Sequence, residues 1–142
     1  MNVTLWMVLA FAAWTLAVLL AGIGVRRWAL ILTGRASLTS FPADTPHGDP
    51  AYRRAVRAHA NCLENLPVFS AIVLAAAAAG LSPAGFGTLS IVVMAARVLQ
   101  TLTHMLLAES NRTVAVRFGF FFVQVIAMIT MSALLAAAAI GR

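Results

Sequence analysis

The chain has 142 residues, of which 62% are hydrophobic and 10% charged. A soluble domain carries about 25% charged residues, so an ordinary water-soluble core is excluded, as is disorder, which needs low hydrophobicity. The formal charge is +6, carried by arginine alone, and one cysteine excludes both a disulfide framework and a multi-cysteine metal site.

Four apolar segments follow in chain order, each reaching the roughly 20 residues that a membrane-spanning helix needs. The first predicts a helix over about residues 3–31, its apolar run ending at Arg26 and Arg27. No positive charge precedes it, and the run exceeds the roughly 7–15 residues of a signal-peptide core, so it reads as a span. Residues 34–50 hold Gly34, Pro42, Pro46, Gly48 and Pro50 and read as a loop. The second helix is expected over 51–80, with Gly80 and Pro83 bracketing a turn. The third is expected over 83–108, opened by Pro83. The fourth is expected over 111–141, with Ser110 or Asn111 as its N-cap. In lipid the backbone must satisfy its own hydrogen bonds. Residues 1–142 therefore read as a single all-α integral membrane domain, a four-transmembrane-helix bundle.

Arginine counting sets an expected orientation. Arg26, Arg27, Arg35, Arg53, Arg54 and Arg57 surround the first connection, and Arg112 and Arg117 follow the third. The opposite side has a bare N-terminus, an uncharged turn and Arg142. The positive-inside bias puts the 34–50 loop in the cytoplasm and both the N- and C-termini on the non-cytoplasmic side. In a bacterium this is the inner (cell) membrane. A chain this apolar offers no broad polar face, and nucleic acid is not an expected partner.

The polar residues converge in depth. Counting roughly 20 residues back from Gly80 reaches Asn61, so the start of the second helix projects into the headgroups, with Glu64 just below that boundary. The same count from Pro83 puts Gln100, His104 and Glu109 at the same end, where Arg112 and Arg117 open the fourth helix. Arg53, Arg57, Asn61 and Glu64 fall on one stripe of the second helix, with His59 beside it, and Arg97, Gln100 and His104 fall on one face of the third. Ionisable residues within spans normally face a bundle interior or a wet cavity. On spacing alone this layer is either a structural ion-pair network or a ligand site.

The stretch from Arg57 to Asn65, RAHANCLEN, resembles the second-helix signature of the MAPEG family, the membrane-associated proteins in eicosanoid and glutathione metabolism. The family's R-x-x-x-N-x-x-E pattern matches Arg57, Asn61 and Glu64, and the fuller stretch is most similar to the microsomal glutathione transferase branch. Ala96-Arg97 and Asn111-Arg112 resemble the family's helix-three arginine and helix-four opening. In place of the helix-three tyrosines of relatives stand Leu99 and His104. The resemblance implies a homotrimer that binds glutathione, as co-substrate, between neighbouring subunits near the cytoplasmic membrane surface. It implies Arg112 as the catalytic arginine that activates the thiol, and one of Arg26 and Arg27 as a glutathione contact.

The residue types suit that ligand. Arginine forks match the two carboxylates of glutathione, and Arg57, Arg97 and one of Arg26 or Arg27 are the candidates. Glu64 could accept the ammonium, while His59, Asn61, Gln100 and His104 could pair amides or a carboxylate. The thiolate is the nucleophile, and each unit of pKa depression needs about 1.4 kcal/mol. Arg117 lies about 140° around the helix from Arg112 and is expected to face elsewhere. Cys62 reads as a packed free thiol, and Pro67 is expected to bend the second helix. The expected function is glutathione transfer to a lipophilic electrophile, with lipid-hydroperoxide reduction as a side activity and membrane lipid as surroundings. The competing readings are a non-catalytic lipid-binding member of the same family and a small four-helix multidrug transporter. The transporter reading is the weaker, because the first span holds no acid.

Overall fold

The structure, a computed structural model, describes residues 2–42 and 45–141. Arg142, counted above on the less basic side, lies outside the described residues, as do the two ends of the 1–142 domain. The described residues form four long helices: α1 (Val3–Leu32), α2 (Pro50–Ala78), α3 (Phe86–Leu106) and α4 (Asn111–Ile140), each long and apolar enough to cross a membrane. A short 3-10 turn at Leu38–Ser40 sits in the long connection. This is an all-helical integral membrane architecture.

Local chemistry starts and stops the helices. Asn2 caps α1 by accepting from the Leu5 amide, and Ser110 caps α4 by accepting from the Thr113 amide, which settles the cap in favour of Ser110 over Asn111. Asp49 caps α2 by accepting from the Tyr52 amide at 2.7 Å, and Pro50 is the first helical residue. That amide, with Arg26 at 3.6 Å, holds the Asp49 carboxyl below its ordinary range. A depressed carboxyl stabilises the fold above its unfolded pKa of about 3.9, and this contribution fades only as the pH falls below that value.

The third helix starts at Phe86, not at the expected Pro83. Gly85 adopts φ +80, a left-handed conformation that interrupts the helix and costs glycine nothing. Helix α1 is continuous but is wound as a π-helix over Val18–Gly24, a widening that periodicity in an all-apolar run does not reveal.

The most extensive interface joins α3 and α4, while α1 packs on both α2 and α3. The core centres on Phe11, Cys62, Phe69, Val73, Phe86, Val93 and Met131. Phe11 and Phe69 are fully buried with ring centroids 6.0 Å apart. Cys62 is buried with Sγ 3.7 Å from Thr101 Oγ1, against a neighbouring helix. Leu, Ile and Phe side chains cover the outer faces, Leu20, Ile129 and Phe122 among them.

Candidate functional site

The end of α1, the start of α2, the end of α3 and the start of α4 meet at one end of the bundle. Helix α2 contributes Arg57 and Asn61, separated by one turn, so both reach the α3–α4 side. Arg57 donates to Glu109 Oε1 at 3.2 Å, and Arg117 of α4 reaches the same oxygen at 3.6 Å. Two guanidinium groups therefore converge on one carboxylate oxygen. Glu109 is exposed, whereas the Arg117 side chain is 8% exposed.

Behind that pair lies a buried polar ladder between α3 and α4. Arg117 NH1 lies 2.9 Å from His104 Nδ1, and His104 Nε2 lies 3.0 Å from the Asn61 side-chain amide. Arginine can only donate, so Nδ1 must accept and Nε2 must carry the ring proton. Asn61 then satisfies the ring with its amide oxygen, reached by a half-turn of the amide. Both nitrogens of His104 are thus committed, and the ring fixes Arg117. Gln100 donates to the Arg117 carbonyl at 3.2 Å, and Gln124 donates to Gln100 Oε1 at 2.9 Å.

Two clefts open on this layer. The smaller, about 340 Å³, is lined by Arg57, Asn61, Gln100, His104, Glu109, Val114, Arg117, Phe118 and Phe121. The larger, about 680 Å³, lies between the proline-rich connection and the start of α2, and shares Arg57, Glu109 and Arg117 with the first. Arg27 lines the larger cleft and donates from Nε to the Tyr52 hydroxyl at 2.6 Å. Replacing Tyr52 by phenylalanine removes that charge-assisted bond, with an expected loss of about 1–2 kcal/mol, read as a lower melting temperature in detergent.

The structure gathers some expected site residues and separates others. Arg57, Asn61, Gln100 and His104 share the smaller cleft. Arg26 instead pairs with Asp49. His59 is half-buried, and its Nδ1 finds no partner among the described residues. Glu64 is exposed on the outer face of α2. Arg97 is 1% exposed, with its guanidinium carbon 5.4 Å from the Phe11 ring centre, and lines neither cleft. Arg112, expected to activate the thiol, is exposed on the first turn of α4 and also lines neither cleft.

Arg117 and Arg112 face different ways, as their spacing leads one to expect, and Arg117 is the buried one. The 140° separation places the two arginines on different faces, and the inward face is that of Arg117. A signal for this was present in the spacing: Arg117, Gln124, Met128 and Met131 follow at i, i+7, i+11 and i+14, one continuous buried stripe. Glu109 and Tyr52 carried no motif that singled them out. Among the described residues, no three His, Cys, Asp or Glu side chains group to hold a metal ion.

The sequence model of the MAPEG family matches residues 3–137. The chain belongs to the MAPEG family. That family includes glutathione transferases and also non-enzymatic members. No curated protein matches this MAPEG chain, and no solved structure does. The family assignment leaves the multidrug-transporter reading unsupported.

Proposed function

We propose that this MAPEG chain is a membrane-bound glutathione transferase of the microsomal type, working as a homotrimer with its polar end in the cytoplasm. The observation that carries this reading is the convergence of Arg57 and Arg117 on Glu109 beside Asn61, Gln100 and His104. Two cations against one exposed carboxylate leave a positive surplus in a cleft sized for a small peptide. A carboxylate of glutathione would displace Glu109 from Arg57 and gain a fork-on-carboxylate pair. The amides of Asn61 and Gln100 suit the peptide groups.

The thiol then lies toward Arg117. A partly shielded arginine stabilises the thiolate over the thiol, and one to three pKa units of depression correspond to about 1.4–4 kcal/mol. The thiol proton leaves to water, because His104 has no vacant ring nitrogen. The thiolate attacks the electrophilic carbon, forming a C–S bond while the displaced electron pair departs with the leaving group. Phe118 and Phe121 line the same cleft, and Phe118 is 56% exposed, which suits a lipophilic electrophile arriving from the bilayer. Attack on the terminal oxygen of a lipid hydroperoxide would break the O–O bond and release the lipid alcohol, leaving a sulfenic acid that a second glutathione converts to the disulfide and water; this is the peroxidase side activity.

In this reading the thiol-activating role passes from Arg112 to Arg117.

Isothermal titration of glutathione into detergent-purified protein tests the proposal, together with ultraviolet detection of the thiolate. Binding accompanied by thiolate absorbance supports the transferase. Binding without absorbance points to a non-catalytic lipid-binding member, and absence of binding sinks the reading. Arg57→Ala is expected to weaken binding by about 10- to 100-fold, as the loss of one charge-assisted carboxylate pair.

A further inference from the structure

The larger cleft is not needed to hold glutathione, and its chemistry differs from that of the smaller one. Arg27, Arg53, Arg54 and Arg57 line it together with His47, and Glu109 is the one carboxylate among its described lining residues. Glu109 is already engaged by Arg57 and Arg117. Asp49 is occupied with Arg26 and the helix cap and does not line the cleft. Three arginines therefore face this space with no carboxylate from its described walls to neutralise them.

Two of the polar side chains lining this cleft have buried, unmatched atoms. Arg54 Nε and His47 Nε2 find no hydrogen-bond partner among the described residues. The Arg54 N–H is left without an acceptor, which a ligand oxygen would supply, whereas His47 donates from Nδ1 to the Thr45 carbonyl, so its Nε2 is a lone pair open to a hydroxyl or amine of the ligand. Arg27 is held in advance of any ligand. Its guanidinium carbon lies 5.1 Å from the Phe41 ring centre and 5.7 Å from that of Tyr52, and its Nε is used by the Tyr52 hydroxyl. Its two terminal nitrogens have no hydrogen-bond partner among the described residues and present a fork of fixed orientation to an anion.

The depth of the cleft narrows the class of anion. Its α2 residues lie about one to three turns beyond Asn61, outside the hydrocarbon and level with lipid headgroups. Trp28, next to Arg27, is 57% exposed, as expected of an anchor at the membrane–water boundary. Pro42, Pro46, Pro50 and Val56 give the cleft an apolar wall. We propose that this cleft binds the phosphate of a net-anionic phosphate ester, presented as the headgroup of an anionic phospholipid. The proposal rests on Arg27, Arg53 and Arg54 and does not depend on the glutathione reading, although the two clefts share Arg57, Glu109 and Arg117.

Native mass spectrometry of detergent-purified protein tests this, with phosphatidylglycerol and phosphatidylcholine offered together and glycerol 3-phosphate offered separately. Preferential retention of phosphatidylglycerol, reduced about 25-fold in Arg53→Ala/Arg54→Ala, is the expected result, from roughly fivefold per arginine near an anionic surface. Helical content and a single elution peak confirm that this variant is folded. Should it fail to fold, the wild-type protein is decisive alone: raising salt from about 0.1 to 1 M must erode the preference, since the Debye length falls from about 10 to 3 Å. Equal retention of glycerol 3-phosphate would show a soluble ester as the ligand and overturn the headgroup assignment. Equal retention of the two lipids, a preference unchanged in the folded double variant, or one indifferent to salt overturns the site.

Discussion

Replacing Arg117 by alanine is expected to abolish the thiolate absorbance of bound glutathione and to lower turnover by about 100- to 1000-fold, the usual cost of removing one preorganised electrostatic stabiliser. The same change withdraws a cation from His104 Nδ1 and from Glu109, so stability must be measured beside activity. Arg117→Lys keeps the charge but loses the planar fork. It is expected to retain part of the absorbance with little loss of stability. Arg112→Ala is the contrasting variant. Arg112 is exposed and lines neither cleft, so its removal is expected to leave turnover within about threefold of wild type. The reverse ranking, with Arg112→Ala inactive and Arg117→Ala active, would return the thiol to Arg112 and refute the assignment made from the clefts.

The largest loss of stability is expected from Phe11→Ala. Phe11 is fully buried, and its ring lies between that of Phe69, at 6.0 Å, and the guanidinium of Arg97, at 5.4 Å. Truncation leaves a cavity, at a cost of about 3–5 kcal/mol. It also strips the aromatic face from a cation that is 1% exposed and whose Nε and NH2 find no hydrogen-bond partner among the described residues. Phe11→Leu separates the two contributions, because it keeps most of the volume and removes the ring. Its expected cost is about 1–2 kcal/mol, and that cost should shrink when Arg97 is methionine. Unfolding by denaturing detergent, followed by circular dichroism, measures all four proteins. A Phe11→Leu penalty unchanged in the Arg97→Met background would show that the ring acts through packing alone.

The sequence made the spans and the polar layer legible for different reasons. Four runs of spanning length leave little choice of architecture, and the loop prolines mark the one long connection. The R-x-x-x-N-x-x-E spacing fixes Arg57 and Asn61 on one face, and both line the smaller cleft. Glu64, at i+7, lies within about 20° of Arg57 around α2 but about 10 Å further along the axis, where neither cleft reaches. Arg97 shares a face with Gln100 and His104, yet α3 is buried between two neighbours. Arg97 lies against Phe11 of α1, while Gln100 and His104 serve α4. A one-dimensional pattern gives a face but not the neighbour beyond it. Arg112 is the arginine that the family resemblance implies, through Asn111-Arg112 at the opening of α4, whereas Arg117 is the one that faces the bundle interior. The Gln124–Met131 stripe holds the directional information. The π-helical segment had no signature at all, since every residue from Val18 to Gly24 is apolar or glycine.

The ladder joining Gln100, His104, Arg117 and Gln124 bears on how the chain enters the bilayer. Each of these side chains would be stranded in hydrocarbon if its helix were released alone, where an unmatched polar group costs several kcal/mol. Paired, they meet one another within one helical hairpin, and α2 adds Asn61 at His104 Nε2. The hairpin is therefore the smallest unit that can leave the insertion machinery with most of this ladder matched, while His104 and Arg97 are completed only when Asn61 of α2 and Phe11 of α1 arrive.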